Sequence, residues 1–492
     1  MKSLLTFALT AVFAHGQYYK TEMIPLPKGE IIEVSAIALL PEKKVAIGDR
    51  RGTIWIGTGL YDDDLSRVSW SCFARGLHEP FGMFWRDGSL VVQQRTELTK
   101  IMDVNGDGKA DDFENLCDDW GSSQDYHEFV FGADPDVNGD TWAVLCLTGS
   151  AGSKSDWRGW AMRITPDGKM HPEVSGIRSP GGVGYNPQGD LFYTDNQGLW
   201  NGSSSLKWLK PGGFMGNPSG NVTAKKFGLP EPPNPESGSR IQIEREKDPR
   251  LVPPAVVFPH ALVGQSPTAV VPDLTEGKFG PFEKQVYVGE QTHSEVQRVD
   301  LEMVNGFYQG AVFKMIDGYS SGVVPMRLAD DGTLFVGGTN RGWGSRGPQP
   351  FSLERTRWTG VMPFEVKTMR VTPTGFKLTF TEPVDQVSAG KVSSYEMKAW
   401  TYIYQKSYGS PEVDQVTPKI VSAKVSGDGL GVELVVEGWV QGHVFPRATQ
   451  TFRRKRSRLI RLMGDLAKAA RKSSSLMVRK SRRRCLKMAG RA

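Results

Sequence analysis

A histidine and an arginine, His127 and Arg178, hold the same position in two neighbouring stretches of this 492-residue chain. His127 opens HEFVFGADPDVNGDTWAVLCL and Arg178 opens RSPGGVGYNPQGDLFYTD, so each precedes a short apolar run, a Gly turn and a second run. A neutral imidazole acts as a general base near pH 7. A guanidinium holds an oxyanion or polarises a carbonyl. If the runs are strands of one ring of sheets, their entry residues open onto one mouth and share a pocket. His78 precedes another run (PFGMF), His260 lies shortly before a further one, and His293 sits in a turn after a strand. His78 and His260 are expected as substrate-binding groups there, with hydrogen-bonded structural histidines as the alternative. Trp120, Tyr126, Trp157, Trp160, Trp200 and Trp343 crowd the same loops. They are platforms for a sugar ring, Trp157 and Trp200 above all, or they are core.

The segment DVNGDGKADDFE fits a twelve-residue calcium loop. Side-chain oxygens fall at Asp103, Asn105, Asp107, Asp111 and Glu114, Lys109 offers its carbonyl, and Gly108 makes the sharp turn. The alternative is a solvated acidic hairpin. A strand-like LTKIM precedes the loop, which excludes an EF-hand proper. No G-x-S-x-G, phosphate-binding loop, dinucleotide fingerprint or H-E-x-x-H occurs, so serine-hydrolase, nucleotide and zincin chemistry have no motif. Cys72, Cys117, Cys146 and Cys485 make no CxxC. Cys117 with Cys146 is the preferred disulfide, and free thiols are the alternative.

The elements that must position these residues are short strands. The chain holds 56 Gly and 31 Pro and lacks long 3.6-period apolar segments. A degenerate strand–turn–strand unit starts six times, at Ser35, Pro80, Glu128, Gly181, Ser266 and Val323. This predicts an all-β chain with a six-bladed β-propeller over 17–362. The Pro-rich 229–239 reads as a long loop between blades. Alternating strands over 363–445 predict a truncated immunoglobulin-like β-sandwich. Residues 1–16 read as a secretory signal peptide, which makes the protein exported, periplasmic or extracellular. No other stretch approaches a transmembrane span. Residues 447–492 hold 17 Lys/Arg against the single acid Asp465, so the net charge of +6 belongs to the tail and the body is acidic. That argues against nucleic-acid binding by the body. The tail, 446–492, is read as a disordered basic extension or the product of a frame change.

Several of these segments resemble the soluble glucose/sorbosone dehydrogenase family, six-bladed propellers that use pyrroloquinoline quinone and calcium. HEFVFGADPDVNGDTWAV, WAMRITPDGK, GIRSPGGVGYNPQGDLFYTDNQG and SLKWLKPGGFMGNP carry the resemblance over about 127–218. GLHEPFG, TDNQG and GGTNRGWGSRGP look closer to exported dehydrogenase-like propeller proteins of planctomycete-type bacteria. The resemblance implies that His127 abstracts a hydroxyl proton from a small sugar or polyol while hydride passes to the quinone. Arg178 would hold a quinone oxygen, with Ser179, His293 and Arg341 as further cofactor contacts and a cytochrome or other electron acceptor as partner. Three departures stand out. Ser179 replaces an Asn of the family, Thr292 and His293 fall where its quinone-binding Lys would, and Gly322, Val323 and Val324 replace an Arg pair. Arg341 or Arg346 would have to compensate. Two readings follow: a quinone-dependent sugar or aldehyde dehydrogenase, or a non-catalytic calcium-stabilised propeller that binds glycans or surface proteins.

Overall fold

The computed structural model describes residues 17–342 and 344–450. The expected leader, Trp343 and residues 451–492 of the basic tail lie outside the described residues. Strand β1 (Tyr19–Met23) comes first in the chain but takes the last place in its sheet. Four-stranded sheets then follow in sequence. Blade one is β2 (Val34–Leu40), β3 (Lys44–Asp49), β4 (Ile54–Thr58) and β5 (Ser69–Ala74). Blade two is β6 (Gly82–Arg86), β7 (Ser89–Gln93), β8 (Leu98–Met102) and β9 (Asp112–Cys117). Blade three is β10 (Val130–Gly132), β11 (Thr141–Leu145), β12 (Trp160–Ile164) and β13 (Met170–Ser175). Blade four is β14 (Pro180–Tyr185), β15 (Leu191–Asp195), β16 (Ser204–Trp208) and β17 (Val256–Phe258). Blade five is β18 (Pro267–Pro272), β19 (Val286–Glu290), β20 (Glu295–Val304) and β21 (Phe307–Asp317). Blade six is β22 (Val323–Leu328), β23 (Leu334–Thr339), β24 (Phe351–Trp358) and, antiparallel to β24, β1.

Local sequence sets the hairpins. Asp87-Gly88 joins β6 to β7 with both residues at positive φ, and Asn305-Gly306 does the same between β20 and β21. These are two-residue primed turns, whose twist matches that of the strands. Six hydrophobic clusters lie one between each pair of neighbouring blades, the last joining Val34 and Ile37 of blade one to Phe335 and Leu353 of blade six. The ring is therefore closed. Glycines let the innermost strands converge on the axis: a Cβ at Gly184 would lie 2.0 Å from the Val270 carbonyl oxygen.

Blade four's outer strand follows a long insertion. The Pro-rich 229–239 falls inside that insertion, within blade four between β16 and β17, and not between blades as expected. Proline punctuation does not distinguish an intra-blade loop from an inter-blade one. Strand β17 itself has only three residues, too few to announce a return to the same sheet.

The chain divides into two compact units. One takes in the chain up to Met362 plus Thr401–Asp414, and the other takes Pro363–Trp400 and the chain from Gln415 on. The second unit contains the sheet of β25 (Val366–Thr372), β26 (Gly375–Phe380), β30 (Gly431–Glu437) and β29 (Lys419–Val425). A second sheet orders β28 (Glu412–Val416), β27 (Tyr395–Tyr402) and β31 (Val444–Gln450). Phe376, Leu378 and Leu434 of the first sheet share a core with Tyr395 and Met397 of the second, which makes a sandwich. The strand pattern does not stop at Phe445: β31 runs on to Gln450, paired with β27. It is an edge strand, where the missing N–H of Pro446 is tolerated. Among the described residues no helix is long and apolar enough to cross a membrane.

Candidate functional site

One backbone contact recurs at each blade and builds the mouth. The residue just beyond the second strand, or at its end, donates its N–H to a carbonyl ahead of the first: Arg50 to Glu33, Arg95 to His78, Cys146 to Phe129, Asn196 to Ser179, Gln291 to Ser266 and Thr339 to Gly322. Entry residues and the turns after the second strands therefore share one end of the ring.

His127 lies at this end with its side chain 41% exposed. Its N–H donates to Asp125 Oδ1 at 2.9 Å, and its Nδ1 stands 3.8 Å from the same oxygen. Gly149 N–H also donates to Asp125 Oδ1, at 2.8 Å. Burial pushes the Asp125 carboxyl up, but the N–H groups of His127 and Gly149 outweigh it and hold the group below its ordinary value. The His127 ring meets Tyr126 edge-on at 5.3 Å. The neighbouring Glu128 is fully buried and accepts from Ser122, Ser123, Thr148 and Ser155. Those bonds fix the loops on both sides of the imidazole.

An ion-pair chain occupies the mouth from blade six to blade two. Arg341 Nη1 pairs with Glu33 at 2.8 Å, and its carbonyl accepts from Arg50 Nη1 at 3.2 Å. Arg50 pairs with Glu79 at 3.1 Å, and Arg95 takes the other Glu79 oxygen, with Nε at 2.9 Å. Arg95 also donates to the carbonyls of Asp125 and Tyr126. Phe129 stacks under both guanidiniums, 5.4 Å from Arg50 and 5.0 Å from Arg95. Burial pushes the Glu79 carboxyl up, yet Arg95 and Arg50 hold it below the usual carboxylate range. Sequence reasoning missed Arg50, Glu79 and Arg95. The signal was present, since GDRRG, QQRTE and TNRG place an arginine after the second strand in units one, two and six.

Arg178 is 5% exposed and lies over Gly198, where a Cβ would sit 2.0 Å from Cζ. Its Nη1 donates to the carbonyls of Asn196 (3.2 Å) and Gln197 (2.8 Å), and Tyr408 covers it with ring centroid 5.3 Å from Cζ. No hydrogen bond or ion pair joins His127 to Arg178 among the described residues. They meet through one loop, in which Gly149 binds Asp125 and Ser150 Oγ lies 3.4 Å from Ser179 Oγ. Ser179 donates its N–H to the buried Asp195 at 3.0 Å. His293 is 4% exposed, with Nδ1 at 3.6 Å from Glu295 and 3.8 Å from Glu290. His260 is exposed; partial burial, then His293, push its pKa down. His78 is exposed too, and partial burial, then Arg95, push its pKa down.

The aromatic expectations divide. Trp157 stacks on Phe227 at 4.4 Å, and Trp200 packs edge-on against Tyr404 at 5.0 Å. Both are buried, so neither ring offers a free face to a sugar. Cys117 and Cys146 remain separate thiols in place of the expected disulfide. They stand on different blades, and burial pushes Cys146 up to about 11.

The Asp103–Glu114 loop is a self-bonded hairpin between β8 and β9. Asp103 accepts N–H groups of Gly106, Asp107 and Gly108, while Asp111 accepts those of Val104 and Asn105. Asn105 and Asp107 cap the N–H groups of Asp107 and Lys109, and Glu114 pairs with Lys100 at 3.2 Å. No group of three or more His, Cys, Asp or Glu gathers into a cation cage among the described residues. These bonds within the loop leave each carboxylate further lone pairs, and among the described residues no cation site is shown at the expected calcium loop.

A pyrroloquinoline quinone carries three carboxylates and needs free cations around it. Arg50 and Arg95 are spent on Glu79, Arg341 on Glu33, and Arg178 is sealed under Tyr408. Of the cations expected around it, Arg346 alone is exposed with no ion pair among the described residues, and one guanidinium does not balance three carboxylates, so the residues present do not fit that cofactor as a resident group.

A domain of unknown function, DUF7133, matches residues 58–226. No curated protein matches the sequence. Among solved structures, a Thermus thermophilus protein described as a putative oxidoreductase (glucose dehydrogenase) superposes with TM-score 0.50 at 18% identity, over 69% of this chain and 99% of that one. The PQQ-bound aldose sugar dehydrogenase of Streptomyces coelicolor gives 0.46 at 12% identity, over 70% and 100%. The pyranose dehydrogenase PQQ domain of Coprinopsis cinerea gives 0.46 at 11% identity, over 69% and 97%. The class is thus an all-β propeller of the fold seen in the Thermus protein, followed by a sandwich.

Proposed function

We propose that this protein is an exported sugar-dehydrogenase-like propeller that takes a small sugar or polyol at the mouth of its ring, with His127 as the proton acceptor. One observation carries the reading: a half-exposed imidazole at the mouth, backed by the Asp125 carboxylate 3.8 Å from Nδ1. At 3.8 Å this is an ion-pair approach and not a hydrogen bond, and the negative charge stabilises a proton that the ring takes from a substrate hydroxyl. The substrate class rests on the dehydrogenase-like segments over about 127–218, and the fold shared with the Thermus structure is compatible with it.

The test incubates the purified protein with aldoses and polyols plus a redox dye, with and without added pyrroloquinoline quinone and calcium. The added quinone, taken up as a dissociable co-substrate, is the hydride acceptor, so sugar-dependent dye reduction is expected with it and not without it, falling about 10²–10⁴-fold in His127→Ala. Activity that survives His127→Ala removes that residue from the reaction. The paired state of Arg50, Arg95 and Arg341 favours a second reading, a propeller that binds carbohydrate without turning it over. Binding by calorimetry with no dye reduction under any condition selects it.

A further inference from the structure

Blade five has the longest hairpin of the six blades, with ten residues in β20 and eleven in β21. Phe307, the first residue of β21, follows its Asn305-Gly306 turn and packs against the cluster that holds Leu209, Met215 and Val252. Two cations converge on this one ring. Lys210 Nζ lies 4.6 Å from the ring centroid and Arg245 Cζ lies 4.5 Å from it. Lys210 comes just after β16, and Arg245 stands on the short helix Ile241–Lys247 inside the blade-four insertion. Three stretches that are distant in sequence therefore meet at one point.

Neither cation has an ion pair among the described residues. Arg245 makes one side-chain bond, from Nη1 to Gln242 Oε1 at 2.9 Å. Its Nε is buried without a partner and lies out of a ligand's reach. Its Nη2 and the Lys210 Nζ also lack partners among the described residues, and neither atom is closed off from solvent. Burial alone pushes the Arg245 guanidinium down, with no carboxylate to offset it. Half-buried charges are normally paired, and two like charges beside one ring repel. An aromatic face offsets part of that cost but does not balance two charges. The group lacks an anion.

We infer that Lys210 and Arg245 form a binding site for a doubly charged tetrahedral oxyanion, a phosphate monoester or free phosphate, held by Nζ and Nη2 beside Phe307. A phosphate monoester carries nearly two charges at neutral pH and three acceptor oxygens that point in different directions. That suits two donors approaching from separate elements, whereas a carboxylate brings one charge in one plane. No residue of the mouth takes part, so the site is independent of the function proposed above.

The experiment titrates the full chain by calorimetry with inorganic phosphate, glucose 6-phosphate and glucose at constant ionic strength. Wild type is compared with Lys210→Gln and Arg245→Gln. Loss of one charge-assisted hydrogen bond is expected to weaken phosphate binding about tenfold in each variant, with glucose unaffected. Affinity is also expected to fall below about pH 6, where the oxyanion takes up a proton. Tighter binding of glucose 6-phosphate than of phosphate in wild type alone assigns the site to a sugar-borne group, and equal binding assigns it to the free anion. The thermal midpoint without ligand is the folding control. With the repulsion relieved, Lys210→Gln is expected to match or exceed wild type. The same phosphate affinity in all three chains, or none in wild type at millimolar concentration, overturns the site. A lowered midpoint in Lys210→Gln without any effect on phosphate does so too, and leaves the two cations as a clasp on the blade-five hairpin.

Discussion

Glu128 has no exposed surface and sits one residue from the half-exposed His127. Burial raises the cost of its charge, yet the Thr148 hydroxyl, the Ser123 N–H and Arg158 outweigh that cost and hold its carboxyl below the usual range. The sign of the linkage follows. A lowered folded pKa contributes stability that is full above the unfolded value of about 4.3 and is lost as pH falls through the folded value. Glu128→Gln keeps the shape but removes the charge, leaving Arg158, itself fully buried, without its counter-ion. The variant is expected to lose about 3 kcal/mol in urea unfolding at pH 7, with a flatter decline in stability below about pH 4. An unchanged urea midpoint would show that the hydroxyls alone hold the loops. Position in a repeat made His127 legible in the sequence, whereas its supports were not. Asp125 and Glu128 acquire meaning only when Gly149, Thr148 and Ser155 fold back onto them. Arg50 and Arg95 were within reach through their shared place after the second strand. Their common partner Glu79 was not, because a single carboxylate between two blades leaves no spacing pattern.

Hairpins and inner strands were the most readable elements, since Asp-Gly and Asn-Gly turns state their own geometry. The six unit starts fall within two residues of the first residues of β2, β6, β10, β14, β18 and β22. What escaped reading depends on distant pairing. Strand β17 has three residues and no pattern of its own, and Thr401–Asp414 lies within a run of alternating strands yet packs with the propeller. Tyr404 is the element's anchor: its ring is 4% exposed and its hydroxyl donates to the Gly216 carbonyl. Truncation leaves a cavity beside Trp200 and Phe214, so Tyr404→Ala is expected to cost about 3–5 kcal/mol. The loss is local to the segment, so limited proteolysis is the sensitive measurement. Cleavage within 401–414 should appear in Tyr404→Ala under conditions where wild type is intact. A wild-type digestion pattern would mean that the main-chain bonds suffice without the ring.

The whole ring is closed by a strand that no local reading assigns. Strand β1 crosses more than three hundred residues of sequence to pair Tyr19 with Trp358 and Thr21 with Thr356. Periodicity reports that Tyr19–Met23 is short and mixed, with only Tyr19 buried, so it carries no signal of a core strand. Its energetic role comes from three contacts. Tyr19 packs on Phe279 at 5.3 Å, Thr21 and Thr356 hydroxyls meet at 2.9 Å, and Glu22 pairs at 3.1 Å with Arg355, which is 1% exposed. Removing residues 17–23 takes away a buried ring, a ladder of backbone bonds and the partner of a buried guanidinium. The sum is on the order of 5 kcal/mol, a large part of the 5–15 kcal/mol typical of a folded domain. It also uncovers β24 as an open edge beside an exposed apolar seam, which templates pairing with other chains. The truncated chain is therefore expected to show a lower urea midpoint and concentration-dependent association by size exclusion. Loss across all six blades should be one transition, because each inter-blade cluster leans on the next and the break lies at the closing blade. A truncated chain that stays monomeric with the wild-type midpoint would mean that blade six is closed by its three remaining strands.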